Sequence, residues 1–341
     1  MELSEREQKV LRLLIEAHVR TARPVSSRAI AESRSIALSS ATVRNVLRQL
    51  EQKRLILQPH TSAGRVPTDR GYRYYVDFLM RPATPSGREV GLIERRLSDL
   101  AGTDQETVAT ELSRIVSALA KELAVSVAPG GAGVLERLDL VPFGDGRAIA
   151  VATMRSGAER TVALSLDDAK ESDLRDAARF LNEHLSGRRV SETEDVLRRG
   201  MRAARPAVRQ VLEALLDARS VLLMLGDARS VHYEGARYMF RHPEFKSDAS
   251  CLGDILDSDE LLAHAVGSEP AREIVTVCIG EENSLREMRR MSLVAASYRV
   301  GGGIGRMAVI GPTRMKYPRL VGLVQFLSAR LESMFGAMPQ G

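Results

Sequence analysis

Between positions 42 and 49 the sequence places Thr42, Arg44, Asn45, Arg48 and Gln49 at spacings that share one side of a helix. A guanidinium can bridge guanine O6 and N7, and a carboxamide can pair bidentately with adenine. Ser39, Ser40 and Thr42 stand at the start of the same run, where hydroxyls and free N–H groups can hold a phosphate. Further on, His60, Ser62 and Arg65 lie in a loop of small residues, and Arg70 follows it. Such groups suit a nucleic-acid backbone. A polar row is also what the solvated face of any amphipathic helix looks like, so the surroundings must decide.

The surroundings favour binding. Ser4-Glu5-Arg6-Glu7 is a capping box, and Val10, Leu11, Leu14 and Ile15 follow at helical spacing. Arg23-Pro24-Val25 breaks that helix, and Ser26 or Ser27 caps a short second one carrying Ala29 and Ile30. A third helix, capped by Ser39 or Ser40, runs to about Lys53 with Val43, Val46, Leu47 and Leu50 inward. Leu55-Ile56-Leu57 then reads as a brief strand. The loop from Gln58 to Arg65 follows, with basic groups expected at its tip, and Val66 returns as a second strand. Thr68 caps a further helix through Tyr75. Three helices and a basic β-loop make a winged helix, in which the third helix enters the major groove and the wing touches backbone or minor groove.

Charge points the same way. The first 72 residues hold 13 Lys and Arg against 7 Asp and Glu, a net of +6, while all 341 residues carry +5. The positive excess therefore belongs wholly to the N-terminal fifth, as expected of a segment that meets a polyanion. The arginine-over-lysine skew is weaker evidence, because genome composition produces it too. No run approaches the roughly 18 apolar residues that span a membrane, and the charged start lacks a signal-peptide stretch. Cys251 and Cys278 have neither metal-ligand nor disulfide-framework spacing. The expectation is a cytoplasmic, multidomain protein with no membrane segment, no metal and no cofactor.

Enzyme motifs fail on context. Gly303-Ile304-Gly305-Arg306-Met307-Ala308 matches G-x-G-x-x-A, but an apolar strand follows it where the dinucleotide fingerprint needs a helix. Gly301-Gly302-Gly303 reads as a hairpin turn. Glu281 and Glu282 are adjacent on a loop and read as surface charge. No catalytic residue is expected.

The run from Leu38 to Asn45, together with Gln58 to Asp77, strongly resembles the family of heat-inducible transcription repressors called HrcA. Distant blocks continue the resemblance in the family's order: Ile279-Gly280-Glu281-Glu282-Asn283, Tyr298 to Gly302, and Val309 to Met315. One departure is Val46-Leu47, where the family more usually has an acidic residue and Met. The resemblance implies a bacterial repressor of chaperone and chaperonin operons, binding an inverted-repeat operator as a homodimer and released on heat shock. It further implies dependence on the chaperonin for activity.

The remainder sorts into candidate domains. Arg81 to Gly87 is turn-rich, and 81–103 is expected to be a linker after the winged helix of 1–80. Thr103-Asp104-Gln105-Glu106 reads as a second capping box, opening a helix through Leu123 that ends at Pro129-Gly130-Gly131. Leu138 and Leu140, Ile149 and Val151, then Val162, Leu164 and Leu166 alternate with period two, predicting an antiparallel meander with Gly144-Asp145-Gly146 and Ser156-Gly157 as turns. Helices follow, carrying Leu174, Leu181 and Leu185, then Val208, Val211, Leu212 and Leu215. After a strand at Val221–Leu225, helical stretches fill about 235–266. Strands come near 274–279, 292–299 and 305–311, and a last helix turns Leu320, Leu323, Leu327, Leu331 and Met334 inward. The fold class expected is multidomain α+β. By resemblance, 104–129 and 219–341 form a GAF-like domain and 130–218 an inserted dimerising domain. The competing reading is a metabolite-responsive regulator with a ligand in the GAF-like domain.

Overall fold

The computed structural model describes residues 2–33, 36–60, 63–128, 135–144, 146–154, 159–166, 170–188, 193–217, 230–245, 253, 255–256, 258–267, 275–300 and 303–335. Helix α1 (Glu5–Thr21) starts at the expected capping box, with Ser4 and Glu7 satisfying each other's free N–H groups. Ser26 caps α2 (Ser27–Ala31) and Ser39 caps α3 (Ser40–Gln52). Strands β1 (Ile56–Leu57) and β2 (Val66–Pro67) pair antiparallel, Ile56 opposite Pro67. Thr68 caps α4 (Asp69–Tyr74), which continues as one π-helical turn over Tyr75–Leu79.

Residues 81–103 are more than a connector. They hold α5 (Gly87–Ser98), opened by a Ser86–Glu89 capping box, with Ile93 and Leu97 buried. Helix α6 is Gln105–Ala120, and its N-cap is Asp104, whose carboxylate accepts from the Thr107 N–H at 2.8 Å. The expected Thr103–Glu106 box is therefore displaced by one residue. The helix also ends earlier than its periodicity suggests. Lys121 adopts the left-handed conformation at φ 60°, and Leu123–Val127 becomes strand β3. All five β3 residues are buried, so the strand shows a continuous apolar run instead of an alternation.

The meander forms as predicted: β4 (Leu135–Pro142), β5 (Arg147–Met154) and β6 (Glu159–Ser165), paired in order. Ser156-Gly157 lies outside the described residues, as does Val221–Leu225. On β5 the faces are reversed from expectation. Ala148, Ala150 and Ala152 are buried, while Ile149 and Val151 lie half-buried on the other face. Alanines on the central strand leave room for leucines of α7 (Glu171–Leu185) and α9 (Pro206–Asp217), which fill the same cluster with Leu197 of α8 (Thr193–Ala203).

A second sheet is antiparallel throughout, in the order β7-β3-β10-β9-β8. Its further strands are β7 (Val231–Glu234), β8 (Val275–Ile279), β9 (Met291–Val300) and β10 (Gly303–Pro312). The G-x-G-x-x-A run lies on β10, and the Tyr298 ring covers Gly305 so closely that a Cβ there would sit 2.3 Å from it. One face packs on α10 (Ala236–Met239) and α11 (Asp259–Gly267) through Met239, Leu262 and Val266. The other packs on α6 and α12 (Tyr317–Phe335). Leu320, Leu323, Leu327 and Leu331 of α12 point inward, but Met334 is 38% exposed at the end of the helix. This second cluster runs without interruption into the core of α1–α4, so N-terminal helices and sheet share one hydrophobic body.

Candidate nucleic-acid interface

Helix α3 is held by what it buries. Val43, Val46, Leu47 and Leu50 face the core, leaving Arg44, Asn45, Arg48 and Gln49 exposed. Arg44 and Arg48 form one i,i+4 row and Asn45 and Gln49 the next, so guanidiniums and carboxamides lie side by side. Among the described residues none of these four side chains has a hydrogen-bond or ion-pair partner. The hydroxyls at the helix start are engaged. Ser39 Oγ accepts from the Thr42 N–H at 3.1 Å and lies 2.9 Å from Thr42 Oγ1, while Ser40 Oγ is 3.3 Å from Ser27 Oγ. Ser39 and Thr42 therefore cap α3, Ser40 ties it to α2, and all three retain only their spare lone pairs for a ligand.

An open groove of about 810 Å³ runs between α3 and the first turn of α1, lined by Arg6, Lys9, Thr42, Asn45 and Gln49 among others. Arg6 and Lys9 add two exposed cations to this face that the sequence reading did not single out. Their signal was the i,i+3 spacing opposite the buried stripe of α1. Neighbouring Glu7 is turned inward. Burial opposes its ionisation, but hydrogen bonds from Lys53 at 2.6 Å and from Ser4 hold its carboxyl below the usual range.

The hairpin differs from expectation in one respect. His60 is exposed on the loop, and Ser62 lies outside the described residues. Arg65 is not at the tip but at the base. Its backbone pairs with Val25 in both directions at 2.8 Å, and its Nη2 meets Glu51 Oε2 of α3 at 3.0 Å. Gly64 makes this approach possible, since a Cβ there would fall 2.4 Å from the Val25 carbonyl oxygen. In this structure Arg65 braces the hairpin against α3, and Arg70 is exposed on α4.

Helix α4 links this face to the sheet. Arg73 Nε donates to Glu282 Oε1 at 2.8 Å, its Nη2 also donates to Glu282, and Nη2 reaches the Val277 carbonyl at 2.5 Å. Asp69 accepts from the Glu281 N–H at 3.2 Å. The Tyr72 ring packs 5.9 Å from Tyr317, and its hydroxyl lies 2.8 Å from His18 Nδ1. Burial, and then the charge of Arg314, lower the His18 pKa. Burial raises the Asp69 pKa against the pull of the Glu281 amide. Glu282 is accordingly a structural partner of Arg73, where the sequence suggested surface charge.

The family model of the HrcA protein C-terminal domain matches residues 106–321. Proteins named heat-inducible transcription repressor HrcA match almost end to end. That of Symbiobacterium thermophilum is 34% identical, covering 97% of this chain and 98% of its own. That of Moorella thermoacetica is 33% identical, covering 98% and 100%. The chain belongs to the HrcA family. HrcA proteins are transcriptional repressors of the heat-shock response, so this chain is a DNA-binding regulator and not an enzyme. A crystal structure described only as a hypothetical protein shares the fold, with a TM-score of 0.55 at 22% identity over 98% of this chain and 99% of its own. The matched C-terminal HrcA region begins within α6 and contains the Gly280–Asn283 turn, whereas α3 lies outside it, in the part that the full-length HrcA relatives cover. Among the described residues, no helix is long and apolar enough to cross a membrane.

Proposed function

We propose that this HrcA-family chain represses chaperone and chaperonin operons from the cytoplasm, as a homodimer on an inverted-repeat operator. Residues 1–80 act as a winged helix-turn-helix, with α3 in the major groove and the β1–β2 hairpin beside the backbone. The exposed, internally unpartnered set Arg44, Asn45, Arg48 and Gln49 carries this reading. Ser39, Ser40 and Thr42 position the helix start, and His60, Ser62 and Arg70 contact the backbone. Residues 104–129 and 219–341 form the GAF-like domain, and 130–218 the inserted dimerising domain. Two features support that division. The core of β4–β6 with α7–α9 is a cluster of its own, and Val141 on β4 and Phe143 just after it are 48% and 58% exposed. A two-fold dimer made there places two α3 helices on one side of the molecule, which calls for half-sites in rotational register.

Temperature acts on folding or assembly in this reading, because folded domains are stable by only about 5–15 kcal/mol. The chaperonin restores inactive chains, and heat-damaged proteins compete for it, so free repressor falls when chaperones are needed. A small-molecule signal has less support. The cleft of about 420 Å³ between α5 and α6 is open to solvent and lined largely by charged side chains, and Glu111 there is already paired with Arg96 and Arg114.

Footprinting on DNA upstream of chaperone genes, with and without chaperonin and nucleotide, tests the whole proposal. Protection of an inverted repeat by the wild type is expected, lost in Arg44→Ala/Asn45→Ala and increased by chaperonin. Protection of no site, or of the same site by the double variant, overturns it. A fragment of residues 1–80 should be monomeric and bind a half-site weakly.

A further inference from the structure

Asp69 and Arg73 stand on the first helix after the hairpin, and apart from Asp77, one turn further on, what they hold lies more than 200 residues away. Their partner is a stiff socket. The Gly280–Glu282 turn follows edge strand β8, and buried Asn283 locks it, with Nδ2 within 2.8, 3.1 and 3.0 Å of the carbonyls of Gly280, Met288 and Met291. Glu282 also accepts the Ile279 N–H at 2.9 Å, so its carboxylate is aimed before Arg73 arrives. Gly280 has φ +55°, and a Cβ there would fall 1.8 Å from Asp69 Oδ2, so α4 is seated directly on the turn. Two further ties flank this one: Tyr72 against Tyr317, and the Ala83 N–H donating to the Pro318 carbonyl at 2.8 Å. The N-terminal unit is therefore fixed to the sheet in one orientation.

We infer that Asp69 and Arg73, seated on the Gly280–Glu282 turn, are positioning residues that set the half-site spacing this repressor accepts. The inference rests on the dimeric DNA-binding reading above. A dimer whose contacts lie outside residues 1–80 transmits its symmetry to the two α3 helices through this joint and the shared core around it. A rigid joint fixes the distance and rotation between the helices, while a loose one leaves each unit on a tether that serves many spacings. Neither residue faces the DNA side of α3, so each acts through placement and not through contact.

The test uses the full-length chain and the duplex that the wild type enriches from a random pool, with its two halves moved apart by one to five base pairs. Because a turn of DNA takes about 10 base pairs, a shift of a few base pairs rotates one half-site well out of register, and the wild type should lose about tenfold or more in affinity. Asp69→Ala/Arg73→Ala should flatten that dependence to less than about threefold while leaving affinity for a single half-site unchanged. The exchange Arg73→Glu with Glu282→Arg should restore part of the preference. A folded double variant that keeps the wild-type spacing profile overturns the inference, since the joint is then only a source of stability. A wild type with no spacing preference overturns the dimeric reading and the inference with it. If the double variant does not fold, Arg73→Lys, which loses the two-pronged grip on Glu282, should show partial flattening, and a wild-type profile there overturns the inference.

Discussion

The exposed face of α3 and the seat of α4 are built from the same kinds of side chain and put them to opposite use. On α3, Arg44, Asn45, Arg48 and Gln49 have no partner among the described residues. Around α4, Arg73 holds Glu282, Asp77 and a carbonyl, Asp69 holds an amide, and Asn283 reaches three carbonyls. A polar group taken from water without a partner is costly, so buried Asn283 must be saturated from within, and half-buried Arg73 is saturated by Glu282, Asp77 and a carbonyl. The exposed set meets no such demand and keeps its hydrogen-bonding capacity for an external surface. Saturation, more than residue type, distinguishes architecture from recognition here.

The largest effect should come from forcing the seat. Gly280→Ala meets both a left-handed backbone and the Asp69 carboxylate, and should destabilise the chain by roughly 2–4 kcal/mol in urea titration. Adding Asp69→Ala should recover the steric part. If Gly280→Ala costs nothing, the seat is not as tight as described.

On the other face, stability and binding should separate. Arg44→Ala and Asn45→Ala should each weaken specific DNA binding by roughly 1–3 kcal/mol while changing unfolding free energy by less than about 0.5 kcal/mol. A stability loss as large as the binding loss would place these side chains in the architecture.

Arg65 sits between the two regimes. As a brace, it should act together with Glu51, so Arg65→Ala and Glu51→Ala should each cost less than about 1 kcal/mol of stability and lower DNA affinity alike. If Arg65 grips phosphate instead, Glu51→Ala frees it and strengthens binding.

The smallest effect concerns pH. Burial, and then Arg314, lower the His18 pKa below its usual 6.5, so unfolding takes up a proton that the folded chain refuses. Its contribution is complete above the unfolded pKa and is lost as pH falls below it, by at most about 1.4 kcal/mol per pH unit. Melts at pH 7.5 and 5.5 should therefore differ less for His18→Gln than for wild type, and an identical difference would place His18 in ordinary solvent.

Local structure was legible because its causes are local. A capping box is written within four residues, a helix face recurs at three and four, and a hairpin announces itself by Pro, Gly and small polar residues. The helix boundaries of α1 and α3, the leucine stripe of α12, the meander, and the polar row on α3 all follow from such spacings. Strand β3 was missed because Leu123 continues the helical period of α6 by one more step, and only Lys121 in the left-handed region turns the chain away. The β5 faces were reversed because alternation identifies two faces without saying which one the helices cover.

What the sequence by itself determined is thus a basic N-terminal unit with a polar helix face, and a family resemblance carried by separated blocks. Only the tertiary structure decided that those blocks meet. Arg73 and Glu282 are 209 positions apart, and no spacing rule connects them. Folding brings them together because the apolar surfaces of α1–α4, α6, α12 and one sheet face merge into one core. The packing of that core leaves a half-exposed guanidinium and a carboxylate facing each other, and their contact ties α4 to the Gly280–Glu282 turn.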